Sequence, residues 1–261
     1  MKDGEDVLDR LCAHPGTARH IARKLCCRFV GENPSTTLVS AVADAFGNYL
    51  TAPDQITRML RVVLASDEFK TRWGDGMKRP FDSIIAGLRA IDSDFVPMPD
   101  NTNAWTTSEQ FFNGLQLTGN RPFHWGPPNG YPDTMRAWAS SGALAMTMKT
   151  LTWLTDMRED NSNENSPLVT DVVAQTKAAI PAANRSAEAI VNYWSQRILG
   201  GPLQPASGVA TTFLRQNADT DEPLDLDHDD WNTGNLKRHY TQSRLRSSVG
   251  LLLASPDFLR R

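Results

Sequence analysis

Apolar residues recur with helical period along almost the whole chain, and this spacing narrows the fold more than any other feature. From Thr17 to Phe29, the positions Thr17, Ile21, Leu25 and Phe29 fall every four residues, with Ala18 and Ala22 alongside. Arg19, His20, Arg23, Lys24 and Arg28 occupy the other faces, as an amphipathic helix requires. Pro15 suits the first turn, where its missing N–H is no loss. Leu38, Val39, Val42, Ala45, Phe46 and Tyr49 form the next stripe. Thr51, with Asp54 three residues on, predicts a cap opening a helix through Ile56, Leu60, Val63 and Leu64. Pro80 starts another, with Phe81, Ile84, Ile85, Leu88 and Ile91 facing inward. Further helices are predicted near 106–118, 140–157, 167–179, 186–199, 206–216 and 235–254. No segment alternates clearly with the period of two that marks a strand. The expected fold is all-α, an irregular multi-helix globular domain with long Pro/Gly-rich loops.

Three segments interrupt the pattern. Residues 92–104 carry Pro97, Pro99 and several Asn and Asp, and predict a loop. Residues 120–133 hold four prolines, which remove backbone donors, and glycines that favour turns. Residues 158–166 are polar and acidic and predict a solvated linker. The chain is therefore expected to be a single helical domain over 1–261, which the break at 92–104 can divide into subdomains 1–92 and 105–261.

At 261 residues with 40% hydrophobic content, the chain is too apolar for a disordered protein. A formal charge of −3 argues against a dedicated nucleic-acid binder. No apolar stretch approaches the roughly 20 residues that span a bilayer. The opening Met1–Asp6 is followed by no apolar h-region, so the chain taken alone suggests a cytoplasmic protein. Cys12, Cys26 and Cys27 are too few for a disulfide framework and are expected as small packing residues.

The stretch Arg121–Asp133 is the most distinctive. His124, Trp125, Asn129, Tyr131 and Asp133, with Phe123, sit on a backbone stiffened by Pro122, Pro127, Pro128 and Pro132. Aromatic faces beside Asn, Asp and His suit a ligand site, and a stiff loop lowers the entropy lost on binding. The basic face of the Pro15 helix, with Arg19, His20 and Arg23, offers guanidinium groups to an oxyanion, or is simply a solvated face. Cys12, His14 and His20 give no zinc spacing. In the acidic run Asp219–Asp230, the residues Asp225, Asp227 and Asp229 have a spacing that a hard cation such as calcium (Ca) accepts. An EF-hand is excluded, because Asp230 stands where glycine is needed and Leu236 where glutamate is needed. No other cofactor is evident. An internal echo pairs Arg61–Phe69 with Gly250–Phe258, and both read as a helix end followed by a serine that caps a new helix.

Several of these segments resemble one family. Gly4-Glu-Asp-Val-Leu-Asp9, His14-Pro-Gly-Thr-Ala-Arg-His-Ile-Ala-Arg-Lys-Leu25 and Arg28-Phe-Val30 are similar to the opening signature of the bacterial family called domain of unknown function 1800. Leu64–Phe69, Lys78-Arg-Pro-Phe81, Leu88-Arg-Ala90, Gly126–Asp133 with Trp138, and Leu252–Phe258 follow in the same order. The resemblance implies a mainly helical protein and supplies no substrate and no catalytic residues. It implies as a partner a protein of the family domain of unknown function 1501, often encoded beside members. It also implies that this chain corresponds to the C-terminal half of a longer protein, in which case an exported or periplasmic home is expected. Three functional expectations follow. The first is a binding or assembly module working with a partner protein, without nucleic acid. The second is a hydrolase or carbohydrate-active enzyme centred on Arg121–Asp133. The third is a truncated remnant without activity of its own.

Overall fold

The computed structural model describes residues 2–72, 74–95, 107–132, 134–156, 168–202, 207–216, 218–229, 234 and 239–260. Helices dominate, as the periodicity requires. They are α1 (Lys2–Ala13), α2 (Pro15–Phe29), α3 (Thr36–Asn48), α4 (Gln55–Ala65), α5 (Asp67–Thr71) and α6 (Pro80–Ala90). A two-residue strand β1 (Asp94–Phe95) precedes α7 (Thr107–Leu117), α8 (Met135–Trp138) and α9 (Ser141–Asp156). Then come β2 (Leu168–Val169), α10 (Val172–Ala179), a 3-10 turn (Ala182–Asn184), α11 (Ala187–Leu199), α12 (Ser207–Arg215), α13 (Thr241–Leu253) and α14 (Pro256–Leu259). The strands pair antiparallel, Asp94 opposite Val169 and Phe95 opposite Leu168, a ladder too short to leave an alternating pattern in the sequence. The helix expected from 167 begins instead at Val172, because Asp171 caps it by accepting the Ala174 N–H at 2.7 Å. The break at 92–104 and the linker at 158–166 lie largely or wholly outside the described residues.

The chain groups into two compact units, one built on residues 2–77 and 132–137, the other on 78–131 and 138–260. In the first, α2, α3 and α4 pack on one another around Ala22, Cys26, Val42, Met59 and Val63. Here the structure corrects the sequence reading by one residue. Ala18, Ala22 and Cys26 form the buried stripe of α2, continued by Val30 just past its end, while Ile21 and Leu25 flank it and Phe29 is exposed. Small residues let the α2 and α3 backbones approach, and the larger ones fill the margins. A similar slip occurs on α4, where Met59 and Val63 are buried and Ile56 and Leu64 are exposed. Thr51 does not cap α4. The helix starts after Asp54, whose carboxylate instead accepts from Arg58 Nε at 2.8 Å. The sequence reading passed over α1 altogether. Its acidic first turn (Asp3, Glu5) and Arg10 in the last turn suit the helix dipole, yet none of its residues is buried.

In the second unit α13 is the central helix, buried from Thr241 to Leu253 on most sides and packed along α9. Glycine is needed at the crossing: a Cβ on Gly250 would lie 2.9 Å from Thr152 Cγ2 and 3.3 Å from Thr152 Cα. Leu151, Leu154, Leu245, Val249, Leu252 and Trp194 form the core around it. The Trp194 indole N–H is satisfied by Thr176 Oγ1 at 2.9 Å. Among the described residues no helix is long and apolar enough to cross a membrane.

Candidate functional site

The Arg121–Tyr131 loop is anchored before it starts. Helix α7 ends at Leu117, and Gly119 two residues on, with a φ of +77°, turns the chain away from it. Buried Asn120 then accepts the Phe81 N–H at 3.1 Å, at the start of α6. Beyond this anchor the loop bonds to itself. The His124 N–H closes a turn on the Arg121 carbonyl at 3.3 Å, with Pro122 and Phe123 at its centre. The same carbonyl accepts the Tyr131 hydroxyl. His124 Nδ1 donates to the Pro122 carbonyl at 2.8 Å, which fixes the tautomer, and the Trp125 indole N–H donates to Asn129 Oδ1 at 3.0 Å. The Trp125 and Tyr131 rings lie 5.0 Å apart, and Tyr131 lies 6.0 Å from the buried ring of Trp138. Of the residues expected here, His124, Trp125, Asn129 and Tyr131 are thus brought together, and Asp133 lies outside the described residues.

Four of their polar atoms, however, bond within the loop, and the ring presented most fully to solvent is not one of the five residues expected at the site. Phe123 is 101% exposed, with a φ of +62°. The second central position of a turn with positive φ normally takes glycine, so a phenylalanine there holds strain of about 1–3 kcal/mol. The legible signal was Pro122 followed by a bulky residue where glycine or asparagine is usual.

The basic residues belong to the other unit. Arg19, His20 and Arg23 all stand exposed along α2, and Arg19 edges a groove of about 570 Å³ together with Asp44. His14 is a capping residue, its Nδ1 accepting the Gly16 N–H at 3.0 Å. Cys12 is exposed and Cys26 buried, and burial pushes the Cys26 thiol up to about 11.

The acidic run is an extended strap whose spacing has a packing origin. Leu224 and Leu226 are buried, so the alternating Asp225 and Asp227 point outward. The strap is tied down at both ends, by Leu224 N–H to the Arg185 carbonyl at 2.9 Å and by Gln242 Nε2 to the Leu226 carbonyl at 2.9 Å. Each aspartate has its own protein partners. Asp225 accepts the Asp227 N–H at 2.9 Å and lies 2.7 Å from His228 Nδ1. Asp227 pairs with Lys177 at 2.5 Å, which holds its carboxyl below the usual range. Asp229 accepts from the Ser243 N–H at 2.9 Å and its hydroxyl at 2.8 Å. Among the described residues no three His, Cys, Asp or Glu side chains are grouped to hold a metal ion.

No curated protein and no solved structure matches this chain. A family match covers it almost end to end. The chain belongs to the family described as Protein of unknown function (DUF1800), whose model matches residues 1–260.

Proposed function

We propose that the chain is a helical docking module that engages a partner protein through the Arg121–Tyr131 loop, with Phe123 as its anchor. One observation carries this reading. Phe123 is wholly exposed at positive φ on a loop in which His124 Nδ1, the Trp125 indole N–H, Asn129 Oδ1 and the Tyr131 hydroxyl already bond within the loop. A polyol or sugar ligand is recognised by convergent donors and acceptors, and four such atoms here are engaged within the loop. An apolar anchor on a stiff loop is instead what a protein partner buries, at small loss of conformational entropy. Backbone strain at an exposed site is maintained where it positions a group for contact. Exposed Phe112, over whose ring Arg121 lies at 6.0 Å, adds apolar surface beside the loop.

The partner we propose is a protein of the family domain of unknown function 1501, which the sequence resemblance implies. The test is interferometry between purified chains. Phe123→Asp is expected to weaken the complex at least tenfold, equal to about 1.4 kcal/mol, without lowering thermal stability. Unchanged affinity would refute the loop as the docking element. An enzyme centred on this loop predicts instead that His124→Ala abolishes a hydrolytic activity that Phe123→Asp leaves intact.

A further inference from the structure

We propose that a groove in the first unit, where α2 and α5 end, binds a small anionic aromatic ligand, its oxyanion held by Arg28, Lys70 and Arg72 and its ring set against Phe29 and Phe69. The groove encloses about 400 Å³. That lies within the roughly 300–1,000 Å³ usual for small-molecule sites. Two aromatic rings are left in solvent at its edge, Phe29 at 43% and Phe69 at 38% exposure.

Lys70 and Arg72 have capacity to spare. Lys70 Nζ stands 3.6 Å from Asp67, a pair between exposed groups that contributes little. Arg72 makes one short bond, from Nη1 to the Asn33 carbonyl at 2.8 Å. Its contacts with Glu68 and Asp75 are long, at 3.5 and 3.6 Å. A guanidinium carries five N–H donors, so an oxyanion arriving with better geometry competes well with those carboxylates. Cations in the last turn of a helix also complement its dipole. That role accounts for the charges but not for two phenylalanines left exposed among them. Gly31, at φ +144°, opens the wall beside Val30, where any side chain would be strained.

The basic face of α2 acquires a role in this setting. His20, Lys24 and Arg28 recur every four residues on its exposed side and lead along the helix to the groove. Such a ridge raises the local concentration of anions and speeds their capture.

The experiment is calorimetric titration of the intact chain with adenosine 5′-monophosphate, with adenosine and inorganic phosphate titrated in parallel. The nucleotide is expected to bind saturably and at least tenfold more tightly than either fragment, and more weakly as salt rises. The double variant Phe29→Ala, Lys70→Glu alters exposed side chains only, and is expected to lose at least tenfold in affinity with an unchanged melting curve. A second pair, His20→Ala with Lys24→Ala, is expected to slow association without removing binding. Equal affinity for nucleotide and phosphate, or a double variant that binds as the parent does, would overturn the proposal.

Discussion

Two corners of the molecule share a sequence and a backbone but not a fate. Leu64-Ala-Ser-Asp-Glu-Phe69 and Leu253-Ala-Ser-Pro-Asp-Phe258 each end one helix and start another. In both, the serine has φ −68° and ψ 150° and its hydroxyl accepts the phenylalanine N–H at 3.2 Å. Phe258 is nevertheless buried, at 3% exposure, in the core around α13, while Phe69 stays in solvent at the groove. Lys78 adds to the difference. Its ammonium lies 4.1 Å over the Phe258 ring and donates to the Phe258 carbonyl. A local motif therefore dictates a cap and says nothing about what the capped turn packs against.

Substitutions that treat the two corners alike sharpen this contrast. The largest expected effect is Phe258→Ala, which should destabilise by about 3–5 kcal/mol as a buried aromatic lost from a core. Phe69→Ala should change stability by less than about 1 kcal/mol, as is usual for exposed positions. Urea titration of both variants measures the pair, and equal losses would break the comparison. Ser255→Ala comes next, at about 2 kcal/mol, because the Phe258 N–H it abandons is buried, against about 1 kcal/mol for Ser66→Ala.

Phe123→Gly should move the other way, raising stability by up to about 1 kcal/mol, because glycine relieves the positive φ and the lost ring buried nothing. A thermal melt reads this directly, and a marked loss of stability would show that the ring packs against something after all.

The smallest effects are electrostatic. At the first corner Glu68 accepts from the hydroxyl and the N–H of Ser35, which lowers its pKa below the ordinary glutamate value. A carboxylate depressed in the folded state contributes stability above its unfolded pKa and loses it as pH falls through the folded one. The acid limb of the stability curve should therefore flatten slightly in Glu68→Gln, and Asp257→Asn at the second corner serves as the comparison. Thiol labelling gives a last check. At pH 8.5 Cys12 should react readily, whereas Cys26, buried and titrating near 11, should label only on unfolding.

Much of the fold was legible because helices announce themselves locally. The expected 186–199 and 140–157 segments match α11 and α9 to within a residue or so at each end. Their signals, a serine before α11 and a sustained period, lie within a few residues of the effect. The failures are of another kind. On α2 two neighbouring stripes, one of Ile21 and Leu25 and one of Ala22 and Cys26, both satisfy the period. Hydrophobicity favours the first, and close approach by α3 selects the second. In the acidic run, burial of Leu224 and Leu226 turns Asp225 and Asp227 outward, a packing reason for part of the spacing that local sequence does not reveal. In the loop, sequence located the aromatic cluster but not its direction, because His124 Nδ1, the Trp125 indole N–H and the Tyr131 hydroxyl found their partners inside the loop.

The sequence by itself determined the helical class, the serine caps, the proline starts and the irregular loop at 120–133. All of these depend on hydrogen bonds and dihedral limits reaching three or four residues along the chain. Only the tertiary structure decided which stripe of α2 is buried, that Phe258 enters a core while Phe69 and Phe123 do not, and that Arg28 and Arg72 meet at one groove. Burial is a property of what lies across the gap, and no residue carries that information in its own neighbourhood.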